Sequence, residues 1–284
     1  MAGSLGEQSV SGAAHCTPSN PSEPKCSELF RITRPESWAI DTGNFCLPFS
    51  IKPKLSFQIE QRSSWNQGSI FPLFNIWRPG FFGSSLPQLG PDPVKLNRKN
   101  DLIVTAYEVD TIDFKNCDTD TIPFSTEGLI AGIDVDPPPF FACKVCCCHR
   151  GRVSLPNGER WKWIEIDCEH YQFQRDDDAR NTHVPLRTLI WQFDCHRIPS
   201  RSRGLPADLP FAVDKYTRVC RINKSGVDWE ADPSESPVAV MNRGGFVFLD
   251  GMGSKMAEIQ SEDNRSLILT SGLAIAQYEG WLAE

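Results

Sequence analysis

Cys143-Lys144-Val145-Cys146-Cys147-Cys148-His149 opens the stretch of this 284-residue chain in which sulfur and imidazole are concentrated. Of eleven cysteines and five histidines, ten residues fall between Cys143 and His196. Thiolate and imidazole hold zinc tetrahedrally, and Cys-x-x-Cys brings two sulfurs to one ion across a tight turn. Cys143 and Cys146 have that spacing. Cys168 and His170, two positions apart, supply a second half-site, and Cys195 with His196 is a further pair. The second half does not repeat Cys-x-x-Cys, no glycine follows Cys146, and the β-branched Val145 suits such a turn poorly. The competing reading makes these cysteines small apolar residues of a β core.

A second constellation is acidic. In a strand read over residues 160–173, Trp161, Trp163, Glu165, Asp167, Glu169, Tyr171 and Phe173 share one face, because side chains alternate along a strand. Lining a cavity, Glu165, Asp167, Glu169 and His170 could move protons, since enclosure and neighbouring charge shift carboxylate pKa values. Trp161, Trp163 and Trp191 would wall such a pocket. Facing water, the same residues are an ordinary acidic surface. Cys168 beside His170 also holds the ingredients of a thiolate nucleophile, although strand geometry sets their Cβ atoms about 7 Å apart. Asp176, Asp177 and Asp178 lack the alternating ligands and closing glutamate of a calcium loop. Phosphate-cradling glycine loops, a Gly-x-Ser-x-Gly elbow and a His-x-Asp or His-x-Glu pair are also missing, which leaves no organic cofactor to expect.

The elements that must position these groups are mostly strands. Residues 1–27, rich in Ser, Gly, Pro and Glu, form a tail too polar to order itself, and residues 28–284 form one β-rich domain. Leu55, Phe57 and Ile59 alternate with Ser56, Gln58 and Glu60, predicting a strand with those three apolar residues on one face. Further strands are expected over 69–77, 101–110, 187–195, 216–222 and 245–249. Residues 78–100, with four prolines, read as a long surface loop. Asn157-Gly158 marks a hairpin between residues 152–155 and the 160–173 strand. A C-terminal helix, with Ser271 as its cap and Leu273, Ala276, Tyr278 and Leu282 buried, is weakened by Gly272 and Gly280. The fold class is α+β, a β-dominated sheet or barrel with a C-terminal helix.

The formal charge of −7 argues against a nucleic-acid binder, which needs cationic surface to displace phosphate counterions. Arg197, Arg201 and Arg203, interleaved with Ser200 and Ser202, read as a solvated loop. No basic-then-apolar leader and no run of about eighteen apolar residues is present, so the expectation is a cytoplasmic protein with reduced thiols and no membrane contact.

Four fragments, in order, resemble the region that follows the conserved domain of fungal heterokaryon-incompatibility proteins. Pro35-Glu36-Ser37-Trp38-Ala39-Ile40-Asp41 is similar to the family's Leu-Pro-Ser-Trp-Val-Pro-Asp, and residues 102–112 resemble its strand ending in Val-Asp-Thr-Ile. His149-Arg150-Gly151-Arg152-Val153 with Asn157-Gly158 is similar to its Gly-Arg-Arg hairpin. Residues 245–252 resemble its late Val-His-Gly-Met-Asp-Gly strand. The domain that names the family is absent, residues 190–240 have no counterpart, and the cysteine run is not part of the pattern. The resemblance implies an intracellular fungal protein of self/non-self recognition. Two functional readings stand. One is a non-enzymatic interaction protein whose thiol-rich core zinc could stabilise, with a protein or small hydrophobic molecule as partner. The other is a cofactor-independent cyclase, isomerase or hydratase using Glu165, Asp167, Glu169 and His170.

Overall fold

The computed structural model describes residues 25–34, 53–62, 70–80, 82–86, 89, 93–97, 100–107, 122–123, 128–136, 149–167, 170–176, 188–193, 209, 211, 213, 215–223, 237–250 and 262–282. Twelve strands close a barrel: β1 (Lys25–Thr33), β2 (Lys54–Arg62), β3 (Ile70–Arg78), β6 (Leu102–Ala106), β8 (Leu129–Val135), β9 (His149–Ser154), β10 (Arg160–Asp167), β11 (His170–Arg175), β12 (Thr188–Phe193), β13 (Arg218–Asn223), β14 (Ala239–Asn242) and β15 (Gly245–Asp250). Every barrel ladder is antiparallel, each strand pairs with the next barrel strand in sequence, and β1 meets β15 to finish the ring. A small second sheet holds β4 (Ser84–Leu86), β5 (Val94–Leu96) and β7 (Ile122–Pro123).

A ring of this size cannot be filled by wall side chains alone. Twelve strands about 4.8 Å apart and tilted about 40° trace a circle roughly 24 Å across, and two facing side-chain layers take up about 10 Å of it. The remaining space, about 14 Å wide, matches an α-helix with its side chains, 10–12 Å. Helix α1 (Glu262–Tyr278) occupies it. Leu267 to Ala276, nearly three turns, are buried at every position, and α1 shares one apolar cluster with inward residues from all twelve barrel strands. A helix with no polar stripe is a buried one. Among its neighbours are Trp191 on β12, Phe246 on β15, Ala131 on β8 and Trp163 on β10.

Two glycines fit the helix to its sleeve. A Cβ on Gly272 would lie 2.3 Å from a Phe246 ring carbon and 3.0 Å from Met241 Sδ, so alanine, ordinarily the better helix former, has no room. Gly280, at φ 73°, ends the helix in a Schellman turn, its N–H donating to Gln277 O while Trp281 N–H donates to Ala276 O. Outside the barrel, Leu86, Leu89 and Leu96 cover Trp77, Ile103 and Leu129. Leu209 and Phe211 pack on Val219, Val240 and Val247.

The sheet and the C-terminal helix are as the sequence suggests, and the architecture is the more specific closed barrel. Several expectations change. β1 starts at Lys25, inside the segment read as tail. Leu55 does not share a face with Phe57 and Ile59: a bulge between Leu55 and Phe57 turns Leu55 outward to the Trp77 cluster, while the other two line the lumen. The 78–100 stretch contains β4 and β5, whose leucines cap the outer wall. The 160–173 strand is two strands, β10 and β11, folded back on each other with Trp163 opposite Phe173. Ser271 is no cap. It lies mid-helix, donating to Ile268 O and accepting from Trp191 Nε1 at 2.9 Å.

Asp101, just before β6, ties the β5–β6 connection to β8 by accepting from Asn97 N–H and Val135 N–H. Burial, with the charges of Asp134 and Asp136 adding to it, outweighs those bonds and pushes its carboxyl up to about 7. The folded pKa lies above the ordinary aspartate value, so the native state holds this proton more tightly than the unfolded chain does. The group's contribution is complete below about pH 4 and is lost as pH rises through about 7, on the order of 4 kcal/mol at most. Asp101→Asn should flatten that decline. Urea midpoints at pH 4.5 and 7.5 test this, and an equal pH difference in both proteins would sink the idea.

Candidate functional site

Both carboxylates at the carboxyl end of α1 are held by an arginine and a tyrosine, and each set joins the helix to the wall. Glu165 points inward near the end of β10. Its Oε2 accepts from Arg150 on β9, Nε at 3.1 Å and Nη2 at 3.0 Å, and from Tyr278 Oη on the helix at 2.7 Å. Glu279, one residue past α1, accepts from Tyr171 Oη on β11 at 2.8 Å and from Arg218 on β13, whose Nη2 lies 2.7 and 3.0 Å from its two oxygens. Arg218 also donates to Lys215 O and Thr217 O. The two sets are reciprocal, with the wall supplying the acid in one and the helix supplying it in the other.

Aromatic rings bind the sets into one body. Trp163 lies edge-on to Tyr278 at 5.3 Å and to Tyr171 at 6.0 Å, and stacks on Phe173 at 5.7 Å. Arg150 sits over Tyr278 at 5.7 Å and Arg218 over Trp281 at 5.6 Å. Burial first, then the carboxylate each phenol faces, holds Tyr171 and Tyr278 above the usual tyrosine range. Both therefore stay protonated and donate.

Of the acid–base residues expected from the sequence, Glu165 belongs to this cluster. Asp167 ends β10, and its side chain lies outside the described residues, as does Glu169. His170 opens β11, half-buried, on the outward face opposite Gln192. Trp161, Trp163 and Trp191 do face inward, but they pack against the helix. A cleft at the opposite end of the lumen, about 30 Å³, is lined by Trp161, Thr188, Leu189, Ile222, Asn264, Leu267 and Ile268. It has room for about one water molecule.

Of the proposed zinc ligands, Cys143, Cys146 and Cys168 lie outside the described residues, as do Cys195 and His196. The described residues contain no group of three or more His, Cys, Asp or Glu that could hold a metal ion. Cys220 faces the lumen fully buried, and burial raises its thiol well above the ordinary value, so it is an inert core residue. Cys168 and His170 do not share one strand, because the chain reverses between Asp167 and His170. Sequence reasoning missed Arg150, Arg218, Tyr278 and Glu279 as partners. The available signal was Arg218, a cation in phase with the inward Cys220 and Ile222 of its strand. Comparisons with family models, curated proteins and solved structures found no match.

The Arg218–Glu279 pair is nearly buried, with side-chain exposures of 7% and 15%. Removing one member strands a charge away from water, and removing both strands none. Arg218→Met should destabilise the protein by about 3 kcal/mol. Arg218→Met combined with Glu279→Leu should recover at least about 1 kcal/mol of that loss. Denaturant unfolding of the two single variants and the double variant measures the coupling, and strict additivity would contradict the charge-lock assignment.

Proposed function

We propose that this protein is a non-enzymatic interaction protein: a rigid barrel, packed with its own helix, that presents partners with the connections at its rims. The single observation that carries the reading is the burial of α1 on all sides within the lumen. That is the space where small barrels enclose ligands or place catalytic groups. Here it holds apolar side chains, and Glu165, the one acid of the expected catalytic set whose side chain is among the described residues, faces Arg150 and Tyr278. The outer wall carries Gln58, Glu60, Arg152, Lys162 and Gln174 at positions that alternate with the apolar lining. Among the described residues no helix is long and apolar enough to cross a membrane. The four fragments similar to fungal heterokaryon-incompatibility proteins support intracellular self/non-self recognition as the setting.

Ending the chain at residue 260 tests the scaffold reading. Loss of α1 should abolish cooperative unfolding, because the wall then exposes its apolar lining to water. A truncated chain that stays folded and takes up a small apolar dye would make the lumen a ligand chamber and overturn the proposal.

Zinc held by Cys143, Cys146, Cys168 and His170 is part of the same reading. What supports it is topology: the chain segment carrying Cys143 and Cys146 runs from Val135 to His149, and Cys168 lies between Asp167 and His170. Those strand ends belong to the neighbouring strands β8, β9, β10 and β11 at one rim. Adjacent strands are about 4.8 Å apart, so the strand ends that these two segments leave and enter are neighbours. Protein purified under reducing conditions should carry one zinc per chain, lost in Cys143→Ala with Cys146→Ala. Unmodified protein without stoichiometric metal removes zinc from the proposal.

A further inference from the structure

We infer that the rim where α1 ends carries a docking site for an acidic segment of a partner protein, built by Lys215, Tyr216 and Arg243. The inference rests on the interaction-protein reading and names the surface and the partner's chemistry. Lys215 and Tyr216 lie one residue ahead of β13, and Arg243 occupies the tight turn between β14 and β15. In that turn Asn242 Oδ1 accepts from Gly244 N–H at 2.8 Å. Because β13 pairs with β14, Arg218 lies opposite Met241, and the turn is carried to the residues leading into β13. The guanidinium of Arg243 lies 3.5 Å from the centroid of the Tyr216 ring, and Lys215 Nζ is 5.0 Å from the same centroid. Tyr216 in turn stands edge-on to Trp281 at 6.2 Å, which fixes its ring against the helix end.

Both cations are exposed, and neither has a carboxylate partner among the described residues. Two like charges gathered on one ring repel each other, and an arriving carboxylate relieves that repulsion. A guanidinium laid on a ring keeps its N–H edge turned outward, the geometry that receives a carboxylate in two parallel bonds. Counting the Arg218–Glu279 pair beneath as neutral, the cluster is doubly positive among the described residues, on a chain whose formal charge is −7. A long polyanion would meet that net negative charge over its whole length, whereas a short acidic peptide meets the local site. The Tyr216 ring is already covered by cations, so it does not offer the bare aromatic face on which a nucleic-acid base stacks.

The test uses the full chain and a fluorescein-labelled eight-residue peptide of alternating Glu and Ser, read by anisotropy at low ionic strength. Saturable binding is expected, weakened about fivefold or more by Lys215→Glu or by Arg243→Glu. The same charge reversal at exposed Lys95 on β5 should change it less than about twofold. Three results would overturn the inference: no saturable binding, an equal loss in Lys95→Glu, or an oligodeoxynucleotide of the same charge binding as tightly as the peptide. Sedimentation without peptide gives a fourth, since a dimer dissolved by Arg243→Glu would make the occupant a second copy of the chain. Failure here is separable from failure of the scaffold reading, because helix truncation and zinc content report on that reading without the peptide.

Discussion

The packing of one helix inside a closed ring of twelve strands is the interaction on which the rest of the molecule depends. An antiparallel meander solves the problem of exposed sheet edges by closing, but at twelve strands closure creates a lumen that wall side chains cannot fill. Water in that space would be surrounded by Phe30, Ile59, Val104, Ile133 and Phe248, none of which offers a hydrogen bond. The helix removes it, burying the inner face of the wall and its own surface together. Wall and helix are therefore one cooperative unit.

Apolar packing of this kind is weak at fixing register, because a helix with an unbroken apolar surface can turn or slide at modest cost. The polar contacts supply what packing leaves open. Trp191 Nε1 reaches Ser271 at the middle of the helix, Gly272 admits the ring of Phe246, and the Glu165 and Glu279 sets hold its last turn. Each carboxylate brought into the barrel end carries a desolvation cost, which its arginine and tyrosine offset. Such pairs contribute little net stability. Their effect is to make one rotation and one depth of the helix the only arrangement that leaves no charge unpaired.

Strand positions were legible wherever alternation was regular, as over Leu102 to Ala106 and in the hairpin at Asn157-Gly158, because a period of two needs no tertiary context. That Trp161, Trp163, Glu165, Tyr171 and Phe173 share one face was legible too. It survives the division of that segment into β10 and β11, since Glu165 faces Tyr171 across the ladder and parity is kept. What the segment faces was not legible: the same pattern lines an open cavity or a filled one. The deciding signal lay about a hundred residues away, in Leu267 to Ala276. There the lack of a polar stripe marks a helix covered on every side, and Ser271 reads as a cap only if that context is missed. The bulge that turns Leu55 outward left no trace in composition.

A filled barrel moves chemistry to its ends. Closure leaves the wall no open sheet edge, and patches of its outer face are covered by the leucines of the small sheet and by Leu209 and Phe211. At the rim where α1 stops, Lys215 and Arg243 are exposed where strands turn. Wall and helix hold such residues on rigid strand ends, so a partner binding there loses little to ordering the site. The same rigidity explains how polar rim groups can stand within a few ångströms of an apolar lumen. Arg150 is bonded to Glu165 on the wall and sits over Tyr278 of the helix, and Arg218 is bonded to Glu279 just past the helix and to the carbonyls that precede β13, so the boundary between dry core and wet rim falls where the helix ends.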